Sequence, residues 1–537
     1  MPITPTYPGV YIEELPSGVR TITGVATSVT AFVGRARRGP TDKATTIHSF
    51  GEYERLFGKL WEESPMGYAV YHYFLNGGTD AVVVRVHNGD ASTTATLTIR
   101  NEDDDANIIL VAASPGSWGS RLRARVDYTT KDISDTTLFN LSIKDIATGV
   151  IETHRNLSTV VSSPRYMTKV LLEDSDLVRV QTFGTVRPVE TPDPDSGAKS
   201  PFEDSTDGSA LSNAVVASNV NDGLALAGTE ISGSATEPKT GLHALDAVDI
   251  VNLLVIPPYI ADSNGDYLNG DISSTVRSDA LNYAKGRRAI FIVDPLSTWN
   301  KKEDPLDSSG GVDSASFGLS RDANAAIYFP RIKAPDPQEE GRLKTFTPSG
   351  VIAGLIARTD AQRGVWKAPA GTDAALAGVP DLALRLTDPE NGELNPQGIN
   401  CLRIFKGIGR VAWGARTMRG SDILADQWKY LPVRRTALYI EESLYRGTQW
   451  VVFEPNDERL WAQIRLNVGA FMHNMFRQGA FQGTSQKDAY LVKCDSETTT
   501  QNDINRGVVN ILVGFAPLKP AEFVIIQIQQ LAGQVES

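Results

Sequence analysis

Residues 245–260 read LDAVDIVNLLVIPPYI and residues 287–295 read RRAIFIVDP, with a stretch of helical spacing at 276–285 between them. The apolar run at 251–256 is closed by Pro257 and Pro258, and a second run follows Arg287 and Arg288. Near-continuous apolar runs of this length are strands buried on both faces. Strand, helix and strand in succession is the unit that builds a parallel sheet. AAIYFP at 325–330 supplies a third strand, and PSGVIAGLIARTDAQRG at 348–364 a helix that Ser349 caps and Gly364 ends. The decisive stretch therefore predicts an α/β core.

The same grammar recurs upstream. Residues 29–33 form a core strand entering a glycine-rich turn. SFGEYERLFGKL at 49–60 is a short amphipathic helix with Phe50, Tyr53, Leu56 and Phe57 on one side. An aromatic helix at 65–75 stops at Asn76-Gly77-Gly78, and AVVVRV at 81–86 is a buried strand. Past His87 the pattern shortens into TATLTIR, NIILVAA, RLRARVDY and TLFNLSIKD, strand-like pieces between polar turns. Residues 185–240 are rich in Ser, Gly, Asp and Pro, without a visible core, and read as an exposed mobile segment.

Downstream, Pro455 and Asn456 open the best helix of the chain, with Asp457 and Glu458 suited to its positive end. Leu460, Ile464, Val468, Phe471 and Met475 make one stripe at helical spacing, with His473 beside it as a structural histidine, and Gly479 ends the helix. Two strands, YLVKCD at 490–495 and VVNILVGFAPL at 508–518, precede a last one, EFVIIQIQQ at 522–530.

Both ends of the chain are extended and adhesive. In GVYIEEL, Val10 and Ile12 alternate with Tyr11 and Glu13, bracketed by Pro8 and Pro16. Near the other end stand Phe523, Val524, Ile525, Ile526, Gln527 and Ile528. A bare apolar strand must find a sheet edge or become an aggregation hazard, so the two ends point to a chain linked to copies of itself.

The 537 residues carry a net charge of −12, which disfavours a phosphate-neutralising nucleic-acid binder. Charge is unevenly placed. Residues 171–250 hold 14 Asp or Glu against 4 Lys or Arg, whereas residues 401–435 hold 8 Lys or Arg against Asp422 and Asp426. The basic segment is either paired internally or set against an acidic partner. No run has the length of a membrane span, and the start MPITPTYPG has neither the basic nor the apolar region of a secretory signal. Synthesis in the cytoplasm is the expectation.

The constellations of catalysis are missing from the sequence. There is no GxxxxGK[ST], no HExxH and no GxSxG, and GIGRVAWG at 407–414 has the wrong spacing for a dinucleotide turn. Six scattered histidines and two cysteines, Cys401 and Cys494, form no metal-ligand set, and both thiols read as buried and free. Arg358, Asp360 and Arg363 read as an ion-pair cluster at a helix end. No cofactor, metal or catalytic residue is expected.

Five stretches together resemble the contractile tail sheath family of phages, phage tail-like particles and extracellular contractile injection systems. They are PGVYIEELPSGVRTITGVATSVTAFVG (8–34), TPSGVIAGLIARTDAQRGVWKAPAG (347–371), GINCLRIFKGIGRVAWGARTM (398–418), RRTALYIEESL (434–444) and FAPLKPAEFVIIQIQQ (515–530). The resemblance implies an α/β (α+β) multidomain chain with a discontinuous core. A linker arm at 1–24 is followed by a first core segment at 25–90 and an inserted β-rich, acidic outer domain at 91–245. An α/β domain at 246–395, a C-terminal core at 396–520 and an exchanged strand arm at 521–537 complete the division.

The implied function is a helical homopolymer around an inner tube protein, contracting to drive that tube through a target envelope. Subunits would be linked by the strands at 10–14 and 523–529, with baseplate and cap proteins as further partners and no nucleic acid or membrane insertion. Arg410, Arg416, Arg419, Arg434, Arg435, Arg465 and Arg477 are the candidate tube-facing cations. The expected location is a virion tail or a contractile particle. Alternatives are a minor sheath variant at the cap or baseplate end, and a cytoplasmic α/β enzyme.

Overall fold

The computed structural model describes residues 20–89, 93–102, 108–191, 202 and 214–528. The expected N-terminal strand, with Val10, Tyr11, Ile12 and Glu13, and the tail beyond Ile528 lie outside them.

The chain opens with strands β1 (Thr30–Gly34), β2 (Thr45–Ile47) and β3 (Ala81–Arg85), and helices α1 (Phe50–Phe57) and α2 (Pro65–Leu75) between the last two. It then leaves the core for an inserted module of β4 (Thr96–Ile99), β5 (Ile108–Ala112), β6 (Leu122–Asp127), β7 (Leu138–Asp145), β8 (Ile151–Ser158), α3 (Met167–Asp174), β9 (Val178–Thr182) and β10 (Val215–Val216). It returns through α4 (Gly228–Ser232) to β11 (Leu253–Val255), α5 (Ser274–Gly286), β12 (Ile290–Val293) and β13 (Ala325–Phe329). A small sheet of β14 (Ile332–Asp336), β15 (Arg342–Phe346) and β16 (Asp381–Leu382) flanks α6 (Ser349–Arg363) and precedes α7 (Asp388–Leu394). The last elements used below are β17 (Ile399–Phe405), β18 (Gly409–Ala412), α8 (Leu431–Gly447), α9 (Glu458–Arg477), β19 (Tyr490–Lys493) and β20 (Leu512–Phe515).

One eight-stranded sheet gathers the core, in the order β18-β17-β13-β12-β11-β1-β3-β2. Six adjacent strands from β17 to β3 run parallel, and β18 and β2 close the edges antiparallel. Both faces are buried. Phe32, Val83, Val255, Ile292 and Tyr328 pack under α1, α2 and α6, while Val33, Val84, Leu254, Phe291 and Ile327 pack under α5. That double burial is why these strands read as unbroken apolar runs. Helices α2 and α6 cross closely because α6 carries Gly350 and Gly354. A Cβ at either would stand 2.3 Å from a backbone oxygen of α2, at Ala69 and Tyr73 respectively.

Several expectations are corrected. The sheet runs through β17 and β18 to Ala412, so a domain boundary at 395/396 would cut it. Leu226, Ile231, Leu242 and Leu245 are buried against the sheet, so the inserted module ends before residue 226. These side chains are separated by polar residues, which hid them in a serine-rich stretch. Leu56 is exposed on α1, because Tyr53 and Phe57 suffice to cover the sheet edge there. Ser349 is the first residue of α6 rather than its cap, and its hydroxyl donates to Asp294 Oδ2 at 2.8 Å. The cap of α9 is Asp457, whose side chain accepts from the Leu460 amide at 3.0 Å. The stripe Leu460, Ile464, Val468, Phe471 and Met475 is buried as expected, whereas His473 lies on the exposed face of α9.

The inserted module has its own core, with β4-β5-β9 and β10-β6-β7-β8 contributing to one apolar cluster. It is bonded to the end of the central sheet where the strand order reverses. Arg85 donates to the carbonyls of Ala36, Gly39 and Pro115 at 2.9, 2.7 and 2.8 Å, and Arg35 to the Asp222 carbonyl at 3.0 Å. Sheets of this kind bind ligands outside their carboxyl ends at such a reversal. Here that loop is joined to the inserted module instead.

Candidate intersubunit arm and its anchor

The C-terminal stretch is not a strand in the single chain. Among the described residues, 523–528 have no strand partner, and Phe523, Val524, Ile525, Ile526 and Ile528 are between 74% and 92% exposed. Gln527 is exposed with them. Large apolar side chains bared in such a row mark an interaction surface.

Its root, by contrast, is fixed. Arg416 is fully buried and grips Glu522 with two hydrogen bonds, Nε to Oε1 at 2.8 Å and Nη2 to Oε2 at 2.5 Å. Its Nη1 donates to the carbonyls of Asn395 and Gly420 at 2.8 and 3.1 Å and to Asp422 Oδ1 at 3.0 Å. The Tyr430 hydroxyl adds a contact to Glu522 at 3.3 Å. Behind Arg416 stands Asn400 of β17, which accepts from the Arg416 amide at 2.6 Å and donates to the carbonyls of Ile327 and Arg416. Burial alone would lower the affinity of Arg416 for its proton, but the bonds and field of Glu522 and Asp422 outweigh it and raise the pKa. Asp422 is held low, first by Lys429 and then, against the opposing effect of burial, by Arg416.

A candidate acceptor lies nearby in the chain. The pair β19–β20 is a sheet of two strands, with Tyr490, Val492, Val513 and Phe515 on the side packed toward α9. On its other side Leu491 and Leu512 are about half exposed. A two-stranded ribbon is marginal alone and gains from further strands.

The basic residues separate into three sets. Arg416 and Arg435 are buried, so neither faces a partner: their charges are spent inside the chain. Arg435 on α8 pairs with Asp360 on α6, Nη1 to Oδ1 at 2.8 Å and Nη2 to Oδ2 at 2.5 Å, and donates to the Thr27 carbonyl at 2.9 Å. Asp360 therefore does not bind Arg358 or Arg363 as the helix-end cluster supposed, and Arg358 donates to the Ala375 carbonyl. Arg419, Arg434 and Arg465 are partly or largely exposed and ion-paired to Asp426, Glu441 and Glu458. Arg410 and Arg477 have no acidic partner among the described residues, and Arg477 is exposed at the end of α9.

Sequence reading missed Glu522 and the inward role of Arg416. The available signal was a lone carboxylate directly before an apolar run. Cys401 and Cys494 are free and buried, with burial pushing the thiols up to about 12 and about 11. Among the described residues no helix is long and apolar enough to cross a membrane.

Two domain families match the chain in succession, the phage tail sheath protein central domain over residues 267–418 and the phage tail sheath C-terminal domain over 425–530. A tail sheath protein of Vibrio phage KVP40 is 23% identical over 294 residues, covering 53% of this chain and 40% of the relative. A prophage major tail sheath protein of Pseudomonas aeruginosa is 25% identical over 297 residues, covering 54% of this chain and 68% of the relative. The chain thus spans less than half the length of the first relative and about two thirds of the second. The fold is similar to the sheath complex of PVC, an extracellular contractile injection system, in its contracted state, with a TM-score of 0.56, 23% identity and 98% of this chain against 99% of that one. With its sheet-centred core and the two matches in order, the chain carries the central and C-terminal domains of phage tail sheath proteins.

Proposed function

We propose that this chain is the repeating subunit of a helical contractile sheath around an inner tube, joined to its neighbours by strand addition. The role is structural, and the stroke drives the tube through a target envelope. The observation that carries this reading is the exposed apolar row at 523–528 on a fixed root. The arm of one copy adds to the β19–β20 ribbon of the next, where main-chain bonds give affinity and alternate side chains give fit. Because donor and acceptor are different surfaces, the contact is heterologous and propagates as a filament.

One join is weak. Ordering six residues costs roughly 6–12 kcal/mol, against about 1.5–3 kcal/mol for each large apolar side chain buried and about 1 kcal/mol per backbone hydrogen bond. Several joins per subunit make the lattice durable while globular domains shift against one another. The N-terminal segment around Val10 to Glu13 is assigned the same role toward another neighbour. Arg477 and Arg410 are the cations best placed to meet an acidic tube surface. Baseplate and cap proteins are the remaining partners, and the virion tail or an equivalent particle is the location.

Deleting residues 523–537 tests the reading. The expected product is a folded monomer, with unchanged thermal unfolding, that forms no pelletable polymer. Normal tubes from the truncated chain in negative stain overturn it.

A further inference from the structure

Over residues 523–526 an extended strand is apolar on both faces, with Phe523 and Ile525 projecting one way and Val524 and Ile526 the other. The next pair differs, because Gln527 falls on the first face and Ile528 on the second. The usual alternation that tells a strand which face goes down on a sheet therefore begins only at its far end. A shift by one residue exchanges the two sets of side chains and still offers a largely apolar face, interrupted at Gln527 alone. The hydrophobic pattern by itself discriminates only weakly between the two registers.

The residue immediately before the row is Glu522, held by the bidentate contact from buried Arg416. A guanidinium–carboxylate fork fixes a plane as well as a distance. The guanidinium is itself immobile, bonded through Nη1 to Asn395, Gly420 and Asp422, and its backbone is tied by Asn400 to the central sheet. We infer that Arg416 and Glu522 form the register pin of the C-terminal arm. The pin sets where the first free residue begins, and so which apolar face meets the neighbour's sheet. The inference rests on the strand-addition reading, and both residues are positioning residues within it.

The test inserts one alanine or two between Glu522 and Phe523, in the intact chain and in Glu522→Ala. Glu522→Gln, which keeps the shape, replaces Glu522→Ala should that variant lower the melting temperature. The readout is the critical concentration for polymer, from sedimentation and negative stain, with monomer melting as the control for folding. In the intact background one alanine flips the faces and is expected to raise the critical concentration about tenfold or more. Two alanines restore the parity at a cost of about 7 Å of displacement and are expected to be the milder change. With Glu522 replaced, the odd–even difference disappears. Equal effects of the two insertions in the intact background, or an odd–even pattern that survives loss of Glu522, overturn the pin. The 523–537 truncation separates the two claims. If it polymerises normally, strand addition itself fails. If it does not, and no odd–even pattern is seen, the pin alone fails.

Discussion

Ile526→Ala gives the sharpest measure of the arm. In the single chain Ile526 is 79% exposed and has no partner among the described residues, so trimming it leaves the monomer unchanged. Strand addition would bury the same side chain in the polymer, and removing its three outer carbons would then forfeit about 0.8 kcal/mol each, or roughly 2 kcal/mol per join after scaling for exposure. At 1.4 kcal/mol per factor of ten, that weakens each join by roughly 30-fold. The assay is sedimentation of the purified chain across a concentration series, with melting of dilute monomer alongside. The expected result is a critical concentration raised by about that factor over a superimposable monomer melt. A critical concentration within about twofold of the intact chain refutes burial of this side chain in the joint. A lowered monomer melting temperature refutes its exposure.

Two further outcomes test the core. Arg435→Met leaves Asp360 charged and unpaired in the interior and should cost about 3–5 kcal/mol, most of it recovered by adding Asp360→Leu. Thermal unfolding of the single and double variants decides, and a single variant that melts like the intact chain sinks the argument. Asp294 is pushed up to about 6 by burial, against the opposing pull of Ser349 and Arg331. Its folded pKa exceeds the unfolded one, so the folded state takes up the proton first and this group's contribution to stability grows as pH falls from about 6 to about 4. Relative to Asp294→Asn, the intact chain should gain on the order of 3 kcal/mol across that window. Parallel melting curves for the two proteins between pH 7 and 4 would show that Asp294 is not the group responsible.

How much could be read in advance follows from how local each signal is. The central strands declared themselves because burial on both faces leaves no polar residue in the run, as in 290–293 and 325–329. Helix α9 did so because its stripe recurs at helical spacing from Leu460 to Met475 within a helix of 20 residues. The return from the inserted module was obscured because Leu226, Ile231, Leu242 and Leu245 are too sparse to make a period, though each is buried. Charge was the least legible. Arg416, Arg419, Arg434 and Arg435 look alike in the sequence, yet two are buried and two are partly or largely exposed.

The sequence by itself determined the α/β class, the two-faced apolar strands of the core, the free buried cysteines and the adhesive character of residues 523–528. All of these rest on side-chain chemistry within a few positions of one another. Only the tertiary structure decided that strands on both sides of the insertion share one sheet, that Asp360 answers Arg435 across 75 positions, and that Glu522 is held by Arg416 across 106. A charge buried with its partner and a charge left facing water are the same letter in the chain. What separates them is the desolvation that folding imposes and the distant group that offsets it.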